Sequence, residues 1–164
     1  MTNSKTLFYK LLGSPTKKAI LIGLLSFFGL IDASYLAAKH YSGTIPPCAI
    51  VKGCEAVTTS QYAVINLPII DIGISVALLG AIYYLIVLII SIAIIETRNT
   101  SLKKFLAGFS IIGLLASIWF IFLQLFVIKA LCLYCLVSAF SSTAIFITAI
   151  FLRKDAGLAK LRSM

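Results

Sequence analysis

Four cysteines fall into two close pairs. Cys132 and Cys135 form a C-x-x-C in Cys132-Leu133-Tyr134-Cys135, and Cys48 and Cys54 are separated by five residues in a polar stretch. Two thiols three apart at the start of a helix can close a small disulfide ring, and the free N–H groups of a first helical turn stabilise a thiolate there. A thiolate attacks a disulfide sulfur through a mixed-disulfide intermediate, so two such pairs can hand a disulfide from one to the other. The pattern points to a thiol–disulfide relay in which all four cysteines take part. Cysteines used only as small hydrophobes in membrane helices do not account for two close pairs. A structural zinc site uses four cysteines but favours C-x-x-C spacing in both halves. No metal is expected here, and a non-enzymatic metal-binding or transport protein remains the rival from another class.

The elements that must position these thiols are membrane helices. Of the 164 residues, 61% are apolar and 12% charged, whereas soluble domains are nearer one half and one quarter. A membrane-spanning helix needs about 20 mainly apolar residues, and four runs qualify: residues 19–38, 69–95, 105–128 and 131–152. The expected fold is all-α: residues 1–164 form a single membrane domain, a four-helix bundle with a long loop, 39–68, between the first and second spans. So long a segment without a clear period is unusual and points to function.

The net charge of +9 could suggest nucleic acid, but basic residues collect on the cytoplasmic flanks of membrane spans. Eleven do so on one side: Lys5, Lys10, Lys17, Lys18, Arg98, Lys103, Lys104, Arg153, Lys154, Lys160 and Arg162. Only Lys39, Lys52 and Lys129 fall on the other. The bias predicts a multi-pass protein with both termini cytoplasmic and the cysteines on the outer face, with no nucleic-acid partner. Disulfides persist on that side of a bacterial inner membrane.

Single residues refine the picture. Leu7, Phe8, Leu11 and Leu12 suggest an interfacial helix before Gly13-Ser14-Pro15, with a cleavable signal peptide as the weaker reading. Asp32, inside the first span, is expected to be hydrogen-bonded within the bundle near the outer interface, with proton handling as the alternative. His40 is expected to be an exposed interface residue. Pro68 suits the first turn of the second helix, and Asp71 a helix-dipole or interfacial role. Tyr83, Tyr84 and Trp119 are expected to pack, and Gln124 to hydrogen-bond across helices. The short link Lys129-Ala130 makes the last two helices antiparallel neighbours. Cys135, Ser138 and Ser142 share one helical stripe, which suits close packing or the wall of a ligand pocket.

Electrons reaching Cys132/Cys135 need an acceptor. The sequence has no haem or flavin motif, and the pair sits at the lipid edge, so a lipid-soluble quinone is the natural choice. A loop pair can in turn exchange with a soluble protein.

The ordered cysteines Cys48-x5-Cys54-x5-Ser60 and Cys132-x-x-Cys135, set on four spans, resemble the vitamin K epoxide reductase family. Cys54-Glu55-Ala56-Val57 and Tyr62-Ala63 resemble its bacterial branch. The likeness runs from residue 20 to residue 152. Other four-helix, quinone-linked disulfide generators carry C-x-x-C in the first outer loop instead. The resemblance implies that Cys48/Cys54 is the shuttle pair, that Cys54 exchanges with Cys132, and that Cys135 lies against the quinone ring. It also implies that Ser60 supports the quinone pocket or the relay; Ser138 joins the cofactor-binding set. The implied activity is disulfide formation in exported proteins: electrons pass from a separate thioredoxin-fold periplasmic or extracytoplasmic protein, through the two pairs, to ubiquinone or menaquinone. Many bacterial members fuse a thioredoxin-like domain, which this sequence is expected to lack. Ala139 stands where vertebrate members carry a tyrosine that contacts vitamin K, and epoxide or quinone reduction of vertebrate type is the alternative within the fold.

Overall fold

A computed structural model describes residues 14–44, 54–66 and 73–162. Cys48, Pro68, Asp71 and the basic segment up to Gly13 lie outside the described residues. The first helix, α1 (Pro15–Tyr41), begins on the proline, a position where a missing N–H leaves no bond unmade. It ends at Gly43, whose φ of 63° lets the chain turn while Ser42 N–H donates to Ala38 O at 3.0 Å and Thr44 N–H to Lys39 O at 3.1 Å. A short helix, α2 (Cys54–Thr58), and a 3-10 turn (Gln61–Ala63) follow. Strands β1 (Val64–Asn66) and β2 (Gly73–Ser75) then pair antiparallel, with Ile65 opposite Ile74. Helix α3 (Val76–Thr97) turns at Arg98 into α4 (Thr100–Phe122). The Asn99 side chain caps α4 by accepting from Ser101 N–H at 2.8 Å. Its last turns, Leu123–Ile128, widen into a π-helix, and α5 (Leu133–Arg162) closes the bundle.

Four of these helices are long and apolar enough to cross a membrane: Pro15–Tyr41, Val76–Thr97, Thr100–Ile128 and Leu133–Asp155. The all-α membrane bundle expected from the sequence is the observed architecture. The ends of the elements differ from the expected spans. The first helix starts at Pro15, ahead of residue 19, and runs to Tyr41, into the segment expected to be loop. The second starts at Val76 rather than at residue 69, because residues 73–75 pair with 64–66 in the hairpin. A short apolar run such as Ile72–Ile74 suits strand and helix equally, so periodicity does not separate them. The last helix begins at Leu133, not 131, and continues past residue 152 to Arg162.

Helix α1 packs against α3 and α5, and α4 against α5; the contact between α3 and α4 is the slightest of these. Ile22, Val87, Leu106, Ile145 and Leu152 fill the centre, and small residues such as Ala19, Ala33, Ala81, Ala107 and Ala149 let the helices approach closely. Two buried serine hydroxyls are satisfied by backbone carbonyls: Ser91 donates to Ala19 O at 2.6 Å and Ser110 to Ala107 O at 2.9 Å. Large apolar side chains including Phe28, Ile89, Leu115, Phe126 and Phe140 point outward, as a lipid-facing surface requires. Trp119 is among them, stacked on Phe122 with ring centroids 6.1 Å apart.

The two ends of the bundle differ chemically. At one, Lys18 pairs with Asp155 across α1 and α5, and Pro15 and Thr16 line a small depression with Arg98 and Lys103 of the α3–α4 turn. The other end carries α2, the hairpin and the C-x-x-C.

Candidate functional site

The C-x-x-C lies where α4 hands over to α5. Lys129, at φ 54°, reverses the chain, and Ala130 N–H donates to Gln124 O at 3.1 Å. The Gln124 side chain then accepts from Cys132 N–H at 2.9 Å. This is the expected cross-helix bond of Gln124, and it fastens the redox pair itself. Leu136 N–H donates to Cys132 O at 3.1 Å, so Cys132 is the residue on which the first turn of α5 closes. Tyr134 between the cysteines packs its ring on Tyr35 of α1, centroids 5.5 Å apart, which locks the start of α5 against α1.

The two thiols have different surroundings. Cys132 is fully buried, whereas Cys135 is half-buried and opens on a cavity of about 400 Å³. The Cys132 thiol is held below the ordinary thiol range, at about 7, chiefly by a hydrogen bond from the Cys135 thiol; burial opposes this, and the N–H groups of Cys135 and Tyr134 add to it. Low-pKa thiols next to such donors are the reactive ones.

The cavity is lined by all four long helices, and the loop borders it at one end. Ser60 and Ser138, both expected at the cofactor site, line it together with Cys135. Ser60 also turns the loop by donating to Val57 O at 2.8 Å. Cys54 is the first residue of α2, and Val57 and Thr58 of that helix line the same cavity. Helix α2 also contacts the π-helical segment ahead of the C-x-x-C. The loop pair's segment and the membrane pair therefore border one space, with Cys48 outside the described residues. Ala139 also lines the cavity, so the position expected to lack an aromatic contact does face the site.

Residue type alone left out part of what several cavity neighbours do. Tyr84 packs in the core as expected, and it also donates to Ser138 O at 2.7 Å, with its hydroxyl 2.9 Å from Ser138 Oγ and 3.4 Å from Ser142 Oγ. Ser142 Oγ reaches Ser117 Oγ at 2.8 Å, so a hydroxyl chain joins α3, α5 and α4 under the cavity. Tyr83 also lines the cavity; its buried hydroxyl lacks a hydrogen-bond partner among the described residues. His40, expected to be exposed, is half-buried on the cavity wall. Asp32, expected to be hydrogen-bonded, lines the cavity with no hydrogen bond or ion pair from any described residue. The polar face of a lone Asp or Tyr in an apolar run gives no clue to which neighbour it meets.

A four-helix membrane bundle that sets one thiol of a C-x-x-C on the wall of a mainly apolar cavity suits a membrane oxidoreductase. The chain belongs to the vitamin K epoxide reductase family, whose model matches residues 20–150. Membership implies an oxidoreductase, a membrane thiol–disulfide oxidoreductase or quinone reductase, and enzymes of this family use quinones. No curated protein matches the chain.

Proposed function

We propose that this protein forms disulfides for exported proteins by passing electrons from a separate thioredoxin-fold partner to Cys48/Cys54, then to Cys132/Cys135, and finally to ubiquinone or menaquinone. The observation that supports this reading best is the division of the thiols. Cys135 opens on a cavity bordered by the loop, while Cys132 is buried at the adjoining handover between α4 and α5. One sulfur of the pair is thus placed to meet a ligand, leaving the other for exchange.

The cavity suits a quinone ring. Its volume falls in the range of small-molecule sites, and an apolar lining with a few polar groups is their usual character. The orphaned Tyr83 hydroxyl on its wall is a donor in want of an acceptor such as a quinone carbonyl. When bound, a quinone accepts an electron pair and two protons. The chain's own residues do the rest: Cys135 faces the ligand, Gln124 holds Cys132, and Val57, Thr58 and Ser60 of the loop segment border the ligand's space. The charge bias supports placement in a bacterial inner membrane with both termini cytoplasmic and the cysteine end outside.

The test is quinone reduction by detergent-purified protein supplied with a reduced thioredoxin-fold protein. Turnover is expected, together with its loss in Cys135→Ala at unchanged thermal stability. Wild-type turnover surviving in Cys135→Ala would overturn the reading.

A further inference from the structure

Asp32 is the one carboxyl on the cavity wall among the described residues. It sits one turn along α1 from Gly29, whose missing Cβ admits the Tyr84 ring, and beside Ala33, which packs toward Gly80 of α3. These close approaches fix the face of α1 that carries Asp32. No described residue gives the carboxyl a hydrogen bond or an ion pair, yet it shares the cavity wall with Cys135 and Tyr84. A carboxyl inside a membrane span is costly unless it has a use, and here packing does not supply one.

We infer that Asp32 is a catalytic acid–base group that carries a proton between the Cys132/Cys135 thiols and the oxygen of a quinone bound in the cavity. The inference rests on the proposed quinone reaction and deepens it. Oxidation of the pair breaks two S–H bonds and makes one S–S bond. The electron pair goes to the quinone, and both protons end on its oxygens. Asp32 accepts one of these protons from a thiol and delivers it to a quinone oxygen, returning to its starting state. The other ionisable groups around it are His40 on α1, Tyr83 and Tyr84 on α3, and Tyr134 with the two cysteines at the start of α5. The part of the cavity wall that α4 and its π-helical end supply carries no ionisable group; its polar members are Ser117 and Gln124. Tyr84 is engaged with Ser138, and the tyrosines are far weaker acids than a carboxyl, so Tyr83 can hold a quinone oxygen by a hydrogen bond without taking up a thiol proton; His40 lies two turns further out, which leaves Asp32 as the carboxyl that shares the cavity wall with Cys135.

The test compares full-length wild type with Asp32→Asn and Asp32→Glu in detergent. Asp32→Asn is expected to slow quinone reduction roughly 10²-fold or more, the ordinary worth of a positioned acid–base group. It should flatten the acid limb of the pH–rate profile, while quinone-free thiol exchange with the reduced partner persists; Asp32→Glu should restore most of the rate. In quinone-free wild type, reducing the Cys132–Cys135 disulfide should shift a carboxyl C=O band in the infrared difference spectrum, and Asp32→Asn should lack that band. An Asp32→Asn protein with wild-type rate and pH profile would overturn the inference, as would an absent carboxyl band. Loss of exchange together with quinone reduction would also overturn it, by showing a merely structural role. Failure of the proposed function has a different signature, quinone reduction that does not depend on Cys135.

Discussion

Gln124 Oε1 accepts the backbone N–H of Cys132 at 2.9 Å, and this bond ties the π-helical end of α4 to the first residue of the C-x-x-C. Both residues are buried, so neither group can turn to water when its partner is lost. Gln124→Leu is expected to cost about 1–3 kcal/mol, the penalty of a buried donor left unmade, and to slow exchange at Cys132 by loosening its position. Thermal unfolding in detergent and the rate of thiol exchange check both parts. Trp119→Phe, on the outward face of the same helix, should change stability by less than about 0.5 kcal/mol.

A second prediction concerns the floor of the cavity. A Cβ on Gly29 would stand 2.5 Å from Tyr84 Cε1, against the body of the ring. Gly29→Ala must push Tyr84 away from Ser138, with an overpacking cost of about 1–3 kcal/mol and a raised KM for quinone. Gly80→Ala is the control, since its Cβ would meet Ala33 at an ordinary 3.6 Å; it should keep both stability and KM. Equal effects of the two changes would show that Tyr84 is not what fixes the α1–α3 approach.

The Cys132 thiol supplies a pH prediction. Its value is lowered to about 7, with the hydrogen bond from Cys135 as the largest cause. A lowered acid is ionised at lower pH, so reduced Cys48→Ala, Cys54→Ala protein should gain thiolate absorbance with a midpoint near 7. Adding Cys135→Ala removes the donor and should move the midpoint up toward the ordinary thiol value of about 8.5. An unchanged midpoint would assign the shift to the backbone N–H groups instead.

How much of this was legible in the sequence depends on the kind of signal. The four helices follow from length and apolarity alone, because a continuous apolar run of about 20 residues satisfies its own backbone in lipid as a helix, and the C-x-x-C at a helix start is a local pattern. Gln124 was legible as a polar group that must find a partner, though not which one. The start of α3 was not: residues 73–75 are strand only because 64–66 lie beside them, and that pairing spans a loop whose path no periodicity reports. Tyr84 and Asp32 were illegible for a related reason. Their roles depend on a cavity among the four long helices, and one helix's sequence does not say what its neighbour leaves open. Gly29, across from Tyr84, carries half of that information and reads in sequence as an ordinary small residue of a membrane helix.

The last prediction asks which sulfurs meet. Helix α2, which starts at Cys54, contacts the π-helical segment just ahead of Cys132, and its residues Val57 and Thr58 line the cavity shared with Cys135. Relay between the pairs passes through one mixed disulfide, and that species accumulates when the thiols that would resolve it are absent. Removing Cys48 takes away the thiol that closes on Cys54 to release Cys132. Removing Cys135 takes away the one that closes on Cys132 to release Cys54. The double change Cys48→Ala, Cys135→Ala should therefore trap a Cys54–Cys132 disulfide under mild oxidant, found by peptide mapping without reduction. Impermeant maleimide added to intact cells after reduction should then label Cys54 in this variant, as the charge bias requires of the cysteine end. If oxidation leaves both residues as free thiols, the pairs do not communicate, and Cys48 and Cys54 staple the loop instead of shuttling electrons through it.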